Sequence, residues 1–390
     1  MKTIYLSDTA PYLRGAKGCS VLGYYWCSAM HSAVVSVETR KPFPEDQRAA
    51  LNKPVGLYWS LAGLGRGRLP SCWRLLIEGL LLRAYLKINK RTLKSSGATR
   101  IFAFSGADWE FLYVVRAYSK ALNLPFDIYL VDDYQSSLRA NGASPSLCKK
   151  AAVIEGDILR QAQKVYAISP GYVEHLRHQY GVNATWMPLP VPLCRVVYRP
   201  VVQSDAIRRV FYIGSVNSLY VEGIRGFIQI LRERISRGES WRLVVVSGAP
   251  ASQLDKFLGP AWREVVDLRR ADSREELKTA CAEALAYLLP YSSEPSMGLL
   301  VRTSFPSKLT DYLTDGRPIL VHGPADSSAV RYARENSFPL VSTTFTELDR
   351  NLDLIGVCDN ASTIDIYSES ILRYHSPEAL IRILSEGASS

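Results

Sequence analysis

The sequence contains no run of about 18 uncharged apolar residues, the length that a membrane-spanning helix needs. Its start, Met-Lys-Thr-Ile-Tyr-Leu-Ser-Asp, interrupts the apolar run too early for a secretory signal peptide. The seven cysteines are scattered and include no CxxC pair, which argues against a zinc site and against a disulfide framework. We therefore expect a cytoplasmic protein that needs no metal.

The composition is that of a globular protein with a localised positive charge. Apolar residues make up 47% and charged residues 22% of 390 residues, a length at which two domains are the rule. The stretch from Arg66 to Arg100 contains nine basic residues and only one acidic residue, Glu78, so it accounts for +8 of the net charge of +10. The excess belongs to one surface.

Residues 305–321 read Phe-Pro-Ser-Lys-Leu-Thr-Asp-Tyr-Leu-Thr-Asp-Gly-Arg-Pro-Ile-Leu-Val, the most informative stretch of the chain. Pro306 presets the first turn of a helix, and Ser304 or Ser307 can cap its exposed amides. A helix N-terminus attracts phosphate, and Lys308 adds a mobile cation. The pattern indicates a site for a nucleotide diphosphate; an ordinary capped helix is the alternative.

The same helix has one apolar stripe and a defined end. The stripe at positions i, i+3 and i+4 consists of Leu309, Tyr312 and Leu313. Gly316 suits the left-handed position after the helix, Pro318 prevents its continuation, and 319–321 predicts a buried strand. Asp311 lies one turn inside the helix, where a carboxylate can accept hydrogen bonds from sugar hydroxyls.

This stretch resembles the donor-site signature of retaining GT-B glycosyltransferases of family 4, usually Pro-Ser-Lys, two residues, Glu-Tyr-Leu, two residues, Gly-Lys/Arg-Pro. The resemblance implies an α/β protein with two Rossmann-like, doubly wound parallel-sheet domains facing across a cleft. It places Asp311 where the family's Glu binds ribose. It also implies that the donor sugar and its phosphates are bound by the backbone of four consecutive residues, Ser304, Phe305, Pro306 and Ser307. Thr303 stands where the commoner motif has a second Glu, and Glu294 does not fit that spacing.

A second resemblance concerns the segment Tyr212-Ile-Gly-Ser, which is similar to the family's phosphate loop. The family usually has Arg at the position of Ser215 and Lys a few residues later, whereas this chain has Tyr-Val-Glu at 220–222. We predict donor binding by Gly214 and Ser215. The replacement cation is left open among Arg14, Lys17, Arg225 and Lys308.

The loop after the first predicted strand, residues 2–7, contains Arg-Gly-Ala-Lys-Gly at 14–18. Glycines allow a close approach of the backbone and the cations suit a phosphate, although the GxGxxG spacing is absent. The family resemblance implies that this loop faces the donor's phosphates, so Gly15, Lys17 and Gly18 are donor-binding candidates. A flexible loop is the alternative.

Two acids end the predicted strand 126–131. Acids at the carboxyl end of a strand in a parallel sheet project into the ligand crevice. The resemblance places a polar residue there close to the transferred sugar and the acceptor, so Asp132 and Asp133 are catalytic candidates together with Lys308; plain turn residues are the alternative. His175 and His178 fit a solvated helix face better than a ligand pair.

Residues 73–94 predict a helix with an apolar face and a basic face. The apolar face consists of Trp73, Leu76, Ile77, Leu80, Leu81, Ala84 and Ile88. Such a helix fits an anionic membrane surface, and a buried helix with solvated last turns is the alternative. We expect no nucleic acid, because aromatic residues are not interleaved with the basic ones.

Strands and helices alternate along both halves of the chain, which predicts parallel doubly wound sheets. Strands are predicted at 101–104, 126–131, 165–168, 210–213, 243–246, 265–268 and 285–289. Ser144-Pro145 and Ser169-Pro170 each begin a helix, and Gly181 ends the second one. We expect an acceptor-binding domain at 1–190, a linker at 191–204, a donor-binding domain at 205–363, and helices at 364–390 that cross back to the first domain.

The expected function is that of a retaining glycosyltransferase of bacterial polysaccharide or glycoconjugate biosynthesis. The donor is a UDP- or GDP-sugar, the acceptor is a glycan or lipid-linked saccharide, and no other cofactor is required. The protein would work in the cytoplasm, peripheral to the inner face of the membrane if 73–94 binds lipid. The alternatives are a non-catalytic nucleotide-sugar-binding subunit and a nucleotide-sugar epimerase of the same fold.

Overall fold

The computed structural model describes most of the chain. The described residues are 2–11, 19–40, 44, 53–57, 71–106, 110–140, 142–191, 196–197, 201–202, 205–271, 273–358 and 360–386. The chain divides into two compact units, one made of Met1–Pro188 with Ile381–Ser390 and the other of Leu189–Leu380. Gly15, Lys17 and Gly18 lie outside the described residues, as do Arg14 and most of the predicted linker. Within the described ranges, no helix has both the length and the apolar character to cross a bilayer.

The first unit is built on a parallel sheet of seven strands in the order β3-β2-β1-β4-β5-β6-β7. The strands are β1 (Thr3–Ser7), β2 (Val34–Thr39), β3 (Val55–Leu57), β4 (Arg100–Ser105), β5 (Phe126–Leu130), β6 (Lys164–Ala167) and β7 (Ala184–Trp186). The helices are α1 (Cys19–Ala29), α2 (Ser71–Ser95), α3 (Phe111–Leu122), α4 (Tyr134–Ala140), α5 (Pro145–Gln161) and α6 (Pro170–Tyr180). The predicted strands at 101–104, 126–131 and 165–168 are confirmed to within one or two residues.

The predicted helix starts in this unit are confirmed by their caps. The Ser144 hydroxyl accepts a hydrogen bond from the Leu147 amide at the start of α5, and Ser169 does the same for Tyr172 in α6. Gly181 ends α6 with φ +65°, the left-handed geometry that glycine tolerates best.

The apolar residues that the sequence predicted as one face of α2 do not all pack against the sheet. Leu82 and Leu86 are buried, whereas Leu80 is 56% and Ile88 is 78% exposed. The cause is Tyr85, which lies on the inward side and donates a 2.7 Å hydrogen bond to the buried carboxylate of Glu38. A polar anchor, rather than the count of apolar residues, sets which side of α2 faces the sheet.

The second unit contains a parallel sheet of six strands in the order β10-β9-β8-β11-β12-β13. The strands are β8 (Arg208–Ile213), β9 (Trp241–Val246), β10 (Val266–Arg269), β11 (Ala286–Pro290), β12 (Ile319–His322) and β13 (Val341–Ser342). The helices are α7 (Val221–Ser236), α8 (Ala251–Leu258), α9 (Arg274–Ala280), α10 (Gly298–Thr303), α11 (Lys308–Asp315), α12 (Ser328–Glu335), α13 (Phe345–Leu354), α14 (Asn360–Ser370) and α15 (Pro377–Glu386), the last of which ends in the first unit.

Both sheets are doubly wound, as predicted. In each of them the strand order reverses beside the first strand of the unit, between β1 and β4 and between β8 and β11. Ligands of such sheets bind outside the carboxyl ends of the strands at the point of reversal. The segments that follow β8 and β11 are therefore the place to look for a ligand site in the second unit.

Candidate functional site

The site in the second unit begins where β8 ends. Gly214 follows the strand with φ +121°, a conformation that side chains rarely adopt. A Cβ atom at this position would lie 3.4 Å from the Nζ atom of Lys308. The glycine thus leaves the backbone of the β8 loop open at the reversal point, directly beside a lysine.

Helix α11 is held against the end of β8. Leu309, Tyr312 and Leu313 are fully buried, which confirms the predicted stripe, and Gly316 ends the helix with φ +77°. The Tyr312 hydroxyl accepts a 2.9 Å hydrogen bond from the amide of Ile213, the last residue of β8. The start of α11 is therefore fixed beside Gly214.

The predicted serine caps of α11 are wrong. Ser307 occupies the N-cap position, but its backbone is helical (φ −56°, ψ −29°) and its side chain makes no capping hydrogen bond. A capping side chain reaches the next amides from an extended backbone. The Ser304 hydroxyl instead donates to the carbonyl of Leu300 at 2.6 Å, and the Ser304 carbonyl accepts from the hydroxyl of Ser328.

Lys308 lies half-buried in an aromatic cage. Its Nζ atom lies 4.0 Å from the ring centroid of Tyr212 and 3.7 Å from that of Tyr220, and it donates a 2.7 Å hydrogen bond to the Tyr212 hydroxyl. Burial lowers the pKa of Lys308 well below its usual value. Among the described residues, no carboxylate forms an ion pair with it. The predicted mobile cation is in fact a positioned one, and an anion beside it would favour its charged form.

The Tyr212 hydroxyl connects this lysine to the β8 loop. It accepts the hydrogen bond from Lys308 and donates a 2.6 Å hydrogen bond to the carbonyl of Ser215. The structure therefore brings together two of the predicted donor-binding residues, Gly214 and Ser215, with the catalytic candidate Lys308. Asp311 is half-buried one turn further along α11.

Other predicted donor-site residues have different surroundings. Arg225 is exposed and donates a 2.7 Å hydrogen bond to the Phe257 carbonyl in α8. Phe305 packs edge-on against Tyr332, with ring centroids 5.2 Å apart. Pro306 is buried next to it in the chain, and only Ser307 of this segment is exposed.

The sequence analysis did not predict the aromatic cage. Tyr220 stacks on Tyr291, which follows β11, with ring centroids 5.6 Å apart. Glu222 accepts a 2.8 Å hydrogen bond from the Ser293 amide and so joins α7 to the loop after β11. The only sequence signal was that several tyrosines lie near the ends of strands. Periodicity alone does not show that these side chains meet.

In the first unit, the two predicted acids after β5 have different environments. Asp133 is buried and caps α4, accepting a 2.7 Å hydrogen bond from the Ser136 amide. Its other oxygen lies 3.4 Å from Nε2 of His175. Burial would raise the pKa of Asp133, but the interactions with His175 and Ser136 outweigh it and lower that pKa. Asp133 thus holds the start of α4, and His175 is partly buried beside it.

Asp132 is half-buried, and its carboxylate differs from that of Asp133 in its proton affinity. Burial and the neighbouring charge of Asp133 raise the pKa of Asp132 to about 6. Its backbone carbonyl accepts a 2.9 Å hydrogen bond from the Tyr172 hydroxyl in α6. The geometry therefore fixes the backbone at the end of β5, and the raised pKa lets the Asp132 carboxylate take up a proton as the pH falls through about 6.

Glu155 is a further buried acid that the sequence analysis missed. Its Oε2 atom accepts hydrogen bonds from Gln135 (2.9 Å) and from the Tyr180 hydroxyl (2.7 Å). Burial raises the pKa of Glu155 to about 7. The available signal was its position in α5, where it interrupts a buried stripe. That stripe otherwise contains Cys148, Ala151, Ile158 and Leu159.

Comparison with known proteins shows the fold. No family model and no curated protein sequence matches the chain. The lipopolysaccharide outer core galactosyltransferase WaaB superposes over 100% of this chain and 99% of its own, with a TM-score of 0.61 and 14% identity. Sucrose-phosphate synthase of Thermosynechococcus elongatus superposes over 99% and 98%, with a TM-score of 0.63 and 15% identity. The chain has the two-domain, Rossmann-like GT-B fold.

Proposed function

We propose that this chain is a retaining glycosyltransferase that moves a sugar from a UDP- or GDP-sugar to a hydroxyl of a glycan or lipid-linked acceptor. The observation that carries the proposal is Lys308, a cation without a described carboxylate partner at the reversal point of the second sheet. A diphosphate is the anion that nucleotide sugars present to such a site. Structures of similar fold include WaaB and an E. coli trehalose-6-phosphate structure with bound UDP-2-fluoro glucose (TM-score 0.63, 11% identity).

The second unit would hold the donor. The backbone of Gly214 and Ser215 would lie against the diphosphate, with Lys308 supplying the positive charge. Asp311 would accept hydrogen bonds from the ribose hydroxyls. The backbone from Ser304 to Ser307 would face the transferred sugar.

The proposed chemistry depends on stabilising the leaving group. Negative charge builds up on the diphosphate as the sugar–oxygen bond breaks, and a positioned cation stabilises that charge more in the transition state than in the ground state. The departing phosphate would take the proton of the acceptor hydroxyl, so this step needs no separate protein base. The first unit would bind the acceptor, with Asp132 accepting a hydrogen bond from a sugar hydroxyl.

Nucleotide release in the presence and absence of acceptor tests the proposal. A thermal-shift panel of UDP- and GDP-sugars selects the donor, since a ligand at 100 times its Kd stabilises by about 2.7 kcal/mol. We then expect nucleotide release that requires an acceptor glycan or lipid-linked saccharide, with retention of the anomeric configuration in the product. Donor turnover without acceptor would indicate an epimerase, and tight binding without transfer would indicate a non-catalytic subunit.

The pH dependence of transfer tests the role of Asp132. Because its pKa is raised to about 6, the carboxylate is lost as the pH falls through 6, and kcat/KM should drop about tenfold per pH unit below that value. Asp132→Asn should be slower and lack this decline. Asp157→Asn, an exposed acid of α5, is the matched control and should keep it. An unchanged decline in Asp132→Asn would remove Asp132 from the proposal.

We also propose that the protein acts in the cytoplasm, peripheral to the inner face of the membrane, through residues 73–94. The support is the basic excess of this stretch and the exposure of Leu80 and Ile88 in α2. Apolar side chains beside lysines and arginines suit the boundary between lipid headgroups and acyl chains.

A further inference from the structure

Helices α2 and α3 enclose a surface groove of about 620 Å³ in the first unit. Its floor is apolar and contains Leu82, Leu86, Ala117 and Ala121. Its rim carries five cations, Arg83, Lys87, Lys90, Arg116 and Lys120. None of the described residues that line this groove is acidic. A ligand that fits it must combine an apolar part with a negatively charged part.

The cations of the rim are available to such a ligand. Arg83, Lys87, Lys90 and Lys120 are exposed, and the Arg116 guanidinium lies 5.3 Å from the ring centroid of Tyr113 on its own helix. Five like charges around one depression repel one another, and a bound anion relieves that repulsion.

A second apolar surface lies next to the groove on the same helix. Leu80, Ala84 and Ile88 are exposed and recur every four residues, so they form a stripe along one side of α2. Lys87 lies between this stripe and the groove. The arrangement places apolar groups on both sides of a row of cations, as in helices that lie in the headgroup region of a bilayer.

We propose that the α2–α3 groove binds one anionic phospholipid of the membrane surface. The phosphate would lie among the rim cations, and an acyl chain would lie along the floor between Leu82 and Ala121. A nucleic acid fits less well, because the floor is aliphatic apart from Tyr113 and offers no row of stacking platforms. The inference rests on the proposed membrane association and gives it a specific lipid site.

Vesicle co-sedimentation with matched charge variants tests the charged half of the site. We expect binding to phosphatidylcholine vesicles that contain phosphatidylglycerol, and little binding to phosphatidylcholine alone. Each cation near an anionic surface contributes about 1 kcal/mol, or about fivefold in affinity, so Lys87→Gln with Lys120→Gln should raise the Kd about 25-fold. The control variant, Lys149→Gln with Lys150→Gln, removes two exposed lysines of α5. Its increase in Kd should be several-fold smaller than that of the groove variant. Equal losses in the two double variants would overturn the proposal.

A soluble short-chain lipid tests the apolar half. Dihexanoyl-phosphatidylglycerol below its micelle concentration should bind the protein in titration calorimetry, and Ala117→Phe, which fills the floor without changing the charge, should abolish that binding. Leu147→Ser, an exposed apolar residue of α5, should have no effect. Binding by Ala117→Phe as tight as by the wild type, or displacement of vesicles by a single-stranded oligonucleotide at equal phosphate concentration, would contradict a lipid site.

These measurements are independent of sugar transfer. They measure lipid binding by the full-length chain in the absence of a nucleotide sugar. A protein without transferase activity can therefore still bind lipid, and an active one can fail to bind it. The circular dichroism spectrum and unfolding midpoint of each variant show whether it is folded, and the charge variants test the site even if Ala117→Phe does not fold.

Discussion

Replacing Lys308 by alanine is expected to lower kcat/KM for sugar transfer by about 10²- to 10³-fold. This is the usual cost of removing one positioned group that stabilises negative charge in a transition state. Here the lost group is a cation held by Tyr212 and Tyr220 next to the loop that would bind the diphosphate. The measurement is steady-state nucleotide release with the donor and acceptor found in the panel.

The matched control for this prediction is Lys256→Ala, which removes an exposed lysine of α8 in the same unit and should keep wild-type kcat/KM. Proton uptake provides a second readout. Because burial lowers the pKa of free Lys308 and a bound diphosphate raises it, the complex holds more protons than the free protein between the two values. Nucleotide affinity should therefore fall as the pH rises through that interval, and calorimetry in two buffers should show proton uptake that Lys308→Ala lacks. Wild-type turnover by Lys308→Ala would refute the site.

Replacing Arg317 by alanine is expected to destabilise the second unit by about 3 kcal/mol or more. Arg317 is only 2% exposed, and its guanidinium lies 3.0 Å from Asp315 and donates hydrogen bonds to the carbonyls of Cys281 (2.7 Å) and Ala282 (3.2 Å). Removing the guanidinium takes the cation from a buried ion pair and one hydrogen bond from each carbonyl, while Asp315 and both carbonyls keep their other hydrogen bonds. Calorimetric melting should show a midpoint lowered on the order of 10 °C.

Arg177→Ala is the comparison for this second prediction. Arg177 is exposed on α6, where loss of a surface arginine usually changes stability by less than about 0.5 kcal/mol. Arg317→Lys should fall between the two, since it keeps the charge but has no planar fork for two carbonyls and a carboxylate. A melting midpoint of Arg317→Ala equal to that of the wild type would show that this buried network adds no stability.

The sequence predicted those parts of the fold that local patterns determine. The stripe and the glycine end of α11 and the serine caps of α5 and α6 follow from spacings of three or four residues, and the structure has them. The alternation of strands and helices was enough to predict two doubly wound sheets, since connections between parallel strands have few possible arrangements.

Short strands, and the orientation of a helix with apolar residues on more than one side, could not be predicted from local patterns. The sequence analysis assigned no element to β2 or β3, because a strand of three to six residues without flanking turn signals resembles a loop. The side of α2 that faces the sheet depends on the hydrogen bond from Tyr85 to Glu38, residues 47 positions apart. No periodicity within α2 contains that information.

The sequence predicted which segment carries the candidate site but not which residues from other segments surround it. Pro306, Lys308 and Asp311 follow from the motif, whereas the partner of Lys308 is Tyr212, which is 96 residues away. Long-range contacts of this kind require the sheet topology first. The same reason explains why His175 was assigned to a solvated face when it lies 3.4 Å from Asp133.

The arrangement of Tyr212 limits how many ligand atoms Lys308 can reach. A lysine ammonium has three hydrogens, and one of them points at the Tyr212 oxygen. The only hydrogen of that hydroxyl is in turn used by the Ser215 carbonyl, so tyrosine has nothing left to donate to an incoming phosphate. Two ammonium hydrogens remain, enough to bridge one oxygen from each of two linked phosphoryl groups. In the proposed site a nucleoside monophosphate would use only one phosphoryl group there, so we expect this lysine to favour diphosphates.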